Sequence, residues 1–328
     1  MNQLKLNFNP ILIFNFDKYN LFLLTLVNIF LQSVFAVTCY FSKWNKIVDI
    51  SGGFSFISLA ILSFVLSQAF LIRQLIVTVF VCMWAARLST YLLYRMMKIG
   101  EYDRFVEKRK NLLYFVIFWI FQFIWIQMVI LPVACINSPA ASNSIVDDLT
   151  KTITNWDILG FVLFIVGLLL ETIADAQKFV YLDDSNNRGK WCNYGLWNLS
   201  RHPNYFGEIL VWWGIYFIGV SIDYNARWIT ILGPLFLTGI LLFLSGLPIM
   251  EHKSDRKYGG NPQYVEYKTN TSPLFPIPSL VYKKLPKQIK LFFCLELPFY
   301  NSLRNADKSN LPHRTSLDVM LQAIDDFP

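Results

Sequence analysis

The sequence predicts an all-α polytopic membrane protein with about seven transmembrane helices in one bundle, and three observations carry that expectation. First, 55% of the 328 residues are hydrophobic, 17% are aromatic and only 16% are charged, more apolar than an ordinary soluble domain. Second, the apolar runs are long and continuous, unlike the short alternating segments of barrel strands. Third, Lys and Arg cluster in alternate loops, as the positive-inside rule requires of a multispanning chain.

Residues 1–20 mix Asn, Phe and Lys and read as an N-terminal interfacial segment. The first apolar run, Leu21–Phe41, lacks a basic n-region with a small-residue cleavage site and is expected to be a retained span. Further spans are expected at Phe54–Phe70, Leu75–Tyr94, Leu112–Cys135, Ile158–Ile173, Tyr205–Val220 and Trp228–Ile249. The second, fifth and sixth sit at the lower length limit for crossing a hydrocarbon layer of roughly 30 Å. Residues 136–155, polar and carrying Pro139, form an expected luminal loop. The seven spans make residues 21–282 one transmembrane domain. Residues 283–300 follow as a basic and apolar interfacial segment suited to an anionic leaflet, and 301–328 as a soluble tail.

Alternation puts Lys43, Lys46, Arg95, Lys98, Arg104, Lys108, Arg109, Lys110, Lys178, Arg188, Lys190 and Arg201 on one side, predicted to be cytosolic. The other side holds Lys5, Lys18, Arg73, Lys151 and Arg227. The formal charge of +7 is therefore read as topology, with no nucleic acid implied. Cys39, Cys82, Cys135, Cys192 and Cys294 show no Cys-x-x-Cys spacing and are expected to be small packing residues. The sequons at Asn198 and Asn270 fall on the predicted cytosolic side, where they go unused.

Soluble-enzyme motifs are missing: no Gly-rich phosphate loop, no His-Glu-x-x-His, and too few His and Cys for a zinc site, so no metal is expected. The chemistry concentrates elsewhere. Residues 195–208, Gly-Leu-Trp-Asn-Leu-Ser-Arg-His-Pro-Asn-Tyr-Phe-Gly-Glu, bring Arg201, His202, Asn204 and Glu208 to a loop that runs into an apolar helix. At a helix start, Arg201 and His202 offer cations to an anion that also meets open backbone N–H groups, although the positive-inside rule alone also accounts for Arg201. Glu171 and Asp175, spaced i,i+4, face one way at the end of the fifth span, or simply mark the membrane boundary. Arg87 lies inside the third span and needs a partner within the bundle. Glu251, Arg256, Tyr258, Tyr264 and Tyr267 follow the last span, ahead of Pro276 and Pro278.

Together these blocks resemble the steroid 5-alpha-reductase superfamily, most closely its membrane subgroup known mainly as a domain of unknown function. The carriers are Trp-Ala-Ala-Arg-Leu (84–88), Glu171 with Asp175 and Gln-Lys (177–178), the 195–208 block, and Glu251 through Tyr-x-x-Tyr to the terminal Pro. The resemblance implies a helical bundle whose cytosolic loops form an NADPH site and an enzyme of the endoplasmic reticulum that reduces an activated C=C bond of a sterol, enal or polyprenyl-type lipid. Hydride goes to the beta carbon and an acid serves the alpha position or the carbonyl. Carried over by position, Asn204 and Glu208 address the nicotinamide, Glu171 and Asp175 line the cleft, and Arg201, His202 and Arg256 hold phosphates or ribose. Trp84 stands where the steroid reductases place a tyrosine, and Leu182 does not match their basic residue, so the proton donor falls among Tyr102, Tyr205 and Tyr258. Isoprenylcysteine carboxyl methyltransferases share the Arg-x-Pro-x-Tyr block and the later Glu and Tyr-x-x-Tyr, giving S-adenosylmethionine-dependent methyl transfer as an alternative. A non-catalytic lipid-binding protein of the same fold is the third. The expected partners are the bilayer and a lipid substrate; protein partners are unknown.

Overall fold

A computed structural model describes residues 17–42, 46–99, 111–138, 153–220, 227–301 and 303. Most of the expected N-terminal interfacial segment and soluble tail, much of the luminal loop, and Tyr102 lie outside the described residues. The elements are α1 (Leu21–Ser42), α2 (Lys46–Ser67), α3 (Ile72–Ile99), α4 (Leu112–Val129), α5 (Leu131–Ile136), α6 (Asn155–Asp183), α7 (Pro203–Gly219), α8 (Arg227–Thr230) and α9 (Leu232–Gly239). A π-helical turn (Ile240–Leu244) leads to α10 (Leu247–Tyr258), α11 (Pro262–Asn270), α12 (Ser279–Tyr282) and α13 (Lys287–Phe292). Among the described residues there is no strand.

Among the described residues, six stretches are long and apolar enough to cross a membrane: Leu21–Ser42, Ile50–Ser67, Ile72–Arg95, Leu112–Val129, Asn155–Asp183 and Trp228–Tyr258. The chain is therefore a polytopic membrane-type helical protein, and against the expected count of about seven the described residues hold six such stretches. The expected sixth span is α7. It has 17 residues, one fewer than the shortest of the six stretches, and sits at the lower limit for crossing the hydrocarbon layer. The last span is also discontinuous. Pro248 has no N–H to give and its ring crowds the carbonyl four residues back, and a π-turn with Gly246 takes up the break.

The chain divides into two units, the first Met1–Phe164 with Trp212–Phe236, the second Ile165–Val211 with Leu237–Pro328. In the first, Asp17 starts α1 by accepting the N–H groups of Leu21, Phe22 and Leu23. Buried amides then tie the helices across an apolar interior where an unmade hydrogen bond is costly. Asn28 donates to Phe123 O and Gln127, Gln32 to Ser55, Gln122 to Ser51, and Asn137 to Ser63 and Thr78. Arg73 meets Asp157 through two parallel bonds of 2.8 and 2.7 Å, the geometry in which a guanidinium and a carboxylate bind best. Trp84, fully buried, packs edge-on against Phe56 and Trp212. Trp84 is thus part of an aromatic core. Gly160 abuts Gly214, where an added Cβ would lie 2.6 Å from the Gly214 carbonyl.

The second unit repeats that close approach. Gly167 of α6 meets Gly207 of α7, an added Cβ on Gly207 falling 2.6 Å from Gly167 O and 2.7 Å from Glu171 N. Small residues at such a contact let the backbones touch, the usual means of helix packing in lipid.

Candidate functional site

All the described residues of the expected site belong to the second unit. Its frame is the turn at 195–202. Gly195 adopts φ +60°, and a side chain there would overlap Gln177 at 2.4–2.5 Å; glycine alone suits both conditions. Gln177 Oε1 accepts the Leu196 N–H at 2.8 Å, Trp197 Nε1 donates to Ala174 O at 2.8 Å, and Lys178 Nζ lies 4.2 Å from the Trp197 ring centre. The Gln-Lys pair thus fastens the turn to α6. Tyr267 donates to Trp197 O at 2.6 Å, a structural contact.

Beyond the turn, residues 199–201 are bonded to the 272–277 segment, with an isolated parallel bridge between Ser200 and Ser272. Arg201 N donates to Ser272 O, Ile277 N to Leu199 O, and Ser200 Oγ to Leu274 O. Ser200 Oγ also accepts the His202 N–H at 3.1 Å. The backbone is therefore fixed where it enters α7, whose first residue, Pro203, needs no N–H partner there. Arg201 and His202 are both buried, at 5% and 6% exposure.

Their charges are met within the protein. Glu251, on α10, receives His202 Nε2 at 2.8 Å, Arg201 NH1 at 3.1 Å and Lys268 Nζ at 3.0 Å. One turn on, Asp255 takes Lys268 Nζ at 2.7 Å from each carboxylate oxygen and the Tyr264 hydroxyl at 2.9 Å. Arg201 NH2 reaches Glu296 at 2.7 Å, and Tyr282 donates to the other Glu296 oxygen. Lys268 Nζ further donates to Tyr300 O. Such a cluster is stable only because nearly every charge has an opposite neighbour.

Burial works against the Arg201 cation, but Glu251 and then Glu296 outweigh it and hold the guanidinium charged beyond its ordinary range. For His202 burial prevails over Glu251 and, with Lys178 and Arg201 nearby, lowers its pKa. The neutral ring then donates from Nε2 to Glu251. Burial, then the Glu251 and Asp255 charges, push the Tyr264 hydroxyl up; burial and Glu296 do the same for Tyr282.

The structure brings Arg201 and His202 together on Glu251 and places Glu171, at 3% exposure, against Gly207, the residue before Glu208. Asp175 and Glu208 are buried too, at 6% and 9%. Asn204 sits in the first turn of α7 with its Oδ1 shielded and lacking a hydrogen-bond partner. Arg256 is exposed on α10. Tyr205 is buried and stacks flat on His202, ring centres 5.4 Å apart, whereas Tyr258 donates to Lys190 O at 3.1 Å. Sequence reasoning missed Asp255, Lys268 and Glu296. Asp255 was within reach, being four residues after Glu251 on one helix face; nothing local to Glu296 signals its partner 95 residues away. No group of three or more His, Cys, Asp and Glu among the described residues is arranged to hold a metal ion.

A family model described as "Protein of unknown function (DUF1295)" matches residues 34–271. The Uncharacterized protein C594.04c of Schizosaccharomyces pombe is 27% identical over 230 residues, 62% of this chain and 64% of that protein. The Probable O-methyltransferase ustE of Ustilaginoidea virens is 41% identical over 46 residues, 14% of this chain and 16% of that protein. In both cases the match spans less than two thirds of the relative's length. No solved structure matches.

Proposed function

The chain belongs to the DUF1295 family, and from that footing we propose that it is a membrane-embedded oxidoreductase of the steroid 5-alpha-reductase superfamily, reducing an activated C=C bond of a sterol, enal or polyprenyl-type lipid with NADPH. The observation that carries the reading is the pairing of two unmatched polar atoms in the Arg-His-Pro-Asn turn. Arg201 Nε and Asn204 Oδ1 are both buried, and neither has a hydrogen-bond partner among the described residues. A donor on a cation and a neutral acceptor, both shielded from water, suit a ligand that carries anionic oxygen and amide N–H together. A nicotinamide dinucleotide carries both.

In this reading Asn204 and Glu208 orient the carboxamide, while Glu171 and Asp175 line the cleft beside Gly207. Arg201 offers Nε to a phosphate, and Arg256, exposed, meets the outer end of the ligand. His202 does not contribute charge; it holds Glu251, which in turn fixes Arg201. When bound, NADPH would supply the hydride. Tyr205, next to Asn204 and stacked on His202, is the proton donor we favour. We place the site on the cytosolic face of the endoplasmic reticulum membrane.

The short match to a probable O-methyltransferase favours a second reading, methyl transfer from S-adenosylmethionine. Melting of the detergent-solubilised protein separates the two, since a ligand at 100 times its Kd stabilises the native state by about 2.7 kcal/mol. We expect NADPH to raise the melting temperature and Asn204→Ala to abolish that rise without lowering the ligand-free value, the Asn204 Oδ1 atom having no partner to lose. A rise with S-adenosylmethionine and none with NADPH would replace the reductase by a methyltransferase. Silence with both would leave a non-catalytic lipid-binding protein.

A further inference from the structure

Arg201 lies between two carboxylates that are not equivalent. The Glu251 side chain is 4% exposed and is shared with His202 and Lys268, so its departure would strand both. The Glu296 side chain is 28% exposed, and its contacts are Arg201 and the Tyr282 hydroxyl. Arg201 already has a carboxylate on each side, Glu251 at NH1 and Glu296 at NH2. A further anion can approach Arg201 only if a carboxylate leaves, and Glu296 is the one positioned to do so.

Its carrier is the end of α13. Leu295, immediately before Glu296, is at φ +57°, and the Glu296 N–H donates to Lys290 O at 2.9 Å, the left-handed cap at which a helix commonly ends, so Glu296 projects from a turn and not from the helix body. The segment is clipped at one end by Tyr282, fully buried, and at the other by Tyr300, whose hydroxyl donates to Leu242 O. Between the clips Phe292 and Phe293 are 73% and 76% exposed.

We propose that Glu296 is a built-in anion that occupies Arg201 in the ligand-free protein, and that an anionic oxygen group of the ligand takes its place when the strap 283–299 lifts from the Arg201–Tyr282 seat. This rests on the reading above only in taking Arg201 as the point that meets the ligand. A phosphate, whether from a dinucleotide or a lipid headgroup, has the required chemistry, and so does a carboxylate.

The test compares wild type, Glu296→Gln and the milder Tyr282→Phe, each as the full chain in detergent. Phenylglyoxal labelling of Arg201 and hydrogen exchange across 287–297, both read by mass spectrometry without ligand, report on the latch. Titrations with NADPH and with inorganic pyrophosphate report on what replaces it. Labelling and exchange should rise several-fold in Glu296→Gln and less in Tyr282→Phe. Binding of the anionic probe should tighten by about tenfold in Glu296→Gln. Labelling and exchange unchanged in both variants, or weaker anion binding by a Glu296→Gln protein that melts as wild type does, would overturn the proposal. Opening with tighter pyrophosphate but no NADPH binding would keep the latch and remove the dinucleotide. Equal NADPH affinity in wild type and Glu296→Gln would remove the latch and keep the dinucleotide.

Discussion

Gly207→Ala is the perturbation whose cost can be worked most directly from the structure. The added methyl would lie 2.6 Å from Gly167 O, 2.7 Å from Glu171 N and 2.9 Å from Glu171 Cβ. None of these atoms sits at the end of a flexible side chain, so no rotamer change relieves the overlap. Ordinary contact begins near 3.4 Å, which leaves α6 and α7 to separate by about 0.8 Å where they cross. Overpacking of this kind costs about 1–3 kcal/mol, while alanine returns up to about 1 kcal/mol of helix propensity. We expect a net destabilisation of about 1–2 kcal/mol, read as a lower melting temperature in mild detergent. Gly239→Ala supplies the control, because nothing lies within 4 Å of its added Cβ and its backbone is helical. Propensity alone then acts, and this variant should melt at or above wild type. Gly207→Ala as stable as Gly239→Ala would refute the close crossing. The same displacement moves Glu171 relative to the first turn of α7, so ligand stabilisation should fall more than stability itself does.

Lys268→Met should destabilise the protein by about 3–5 kcal/mol, because two buried carboxylates lose their shared ammonium; adding Asp255→Leu should recover part of the loss in a denaturant titration. His202 contributes a pH dependence whose sign follows from its lowered pKa. Below about pH 6.5 the unfolded chain takes up a proton that the folded chain refuses, so stability is full above that value and declines as pH falls toward the folded pKa. His202→Gln should flatten the decline in melting temperature as the pH falls below about 6.5. Tyr300→Phe leaves the buried Leu242 carbonyl without its 2.7 Å hydrogen bond and should cost about 1–3 kcal/mol, measured by the same melt.

The apolar runs were legible because crossing a bilayer imposes a length and a composition on a contiguous stretch. The α7 helix tested that logic: its composition suits a span, but at 17 residues it falls just under the length of the six stretches. The break at Gly246 and Pro248 was also readable in principle, Pro being a helix breaker wherever it falls, but hydropathy averages over it. At the site, the 195–208 block announced itself through costly residues near a membrane. What those residues bind inside the protein did not, because Arg201 meets Glu251 and Glu296 across 50 and 95 residues of chain. No local pattern encodes such separations, and a cation awaiting an anionic ligand looks the same in sequence as one already neutralised.

The boundary of the family match sharpens this point. The matched region ends at residue 271, yet two of the cations inside it are completed from beyond: Arg201 by Glu296, and Lys268 by the Tyr300 carbonyl. The π-turn before α10 likewise gives its Leu242 carbonyl to the Tyr300 hydroxyl. Buried charges and carbonyls left unmatched cost more than the net worth of the bonds they make. The segment after 278 therefore acts as part of the fold that presents the Arg-His-Pro-Asn turn, rather than as an appendage to it. A relative that keeps the equivalent of Arg201 but has no carboxylate at the equivalent of Glu296 must neutralise that arginine by other means, and a bound anion is the simplest.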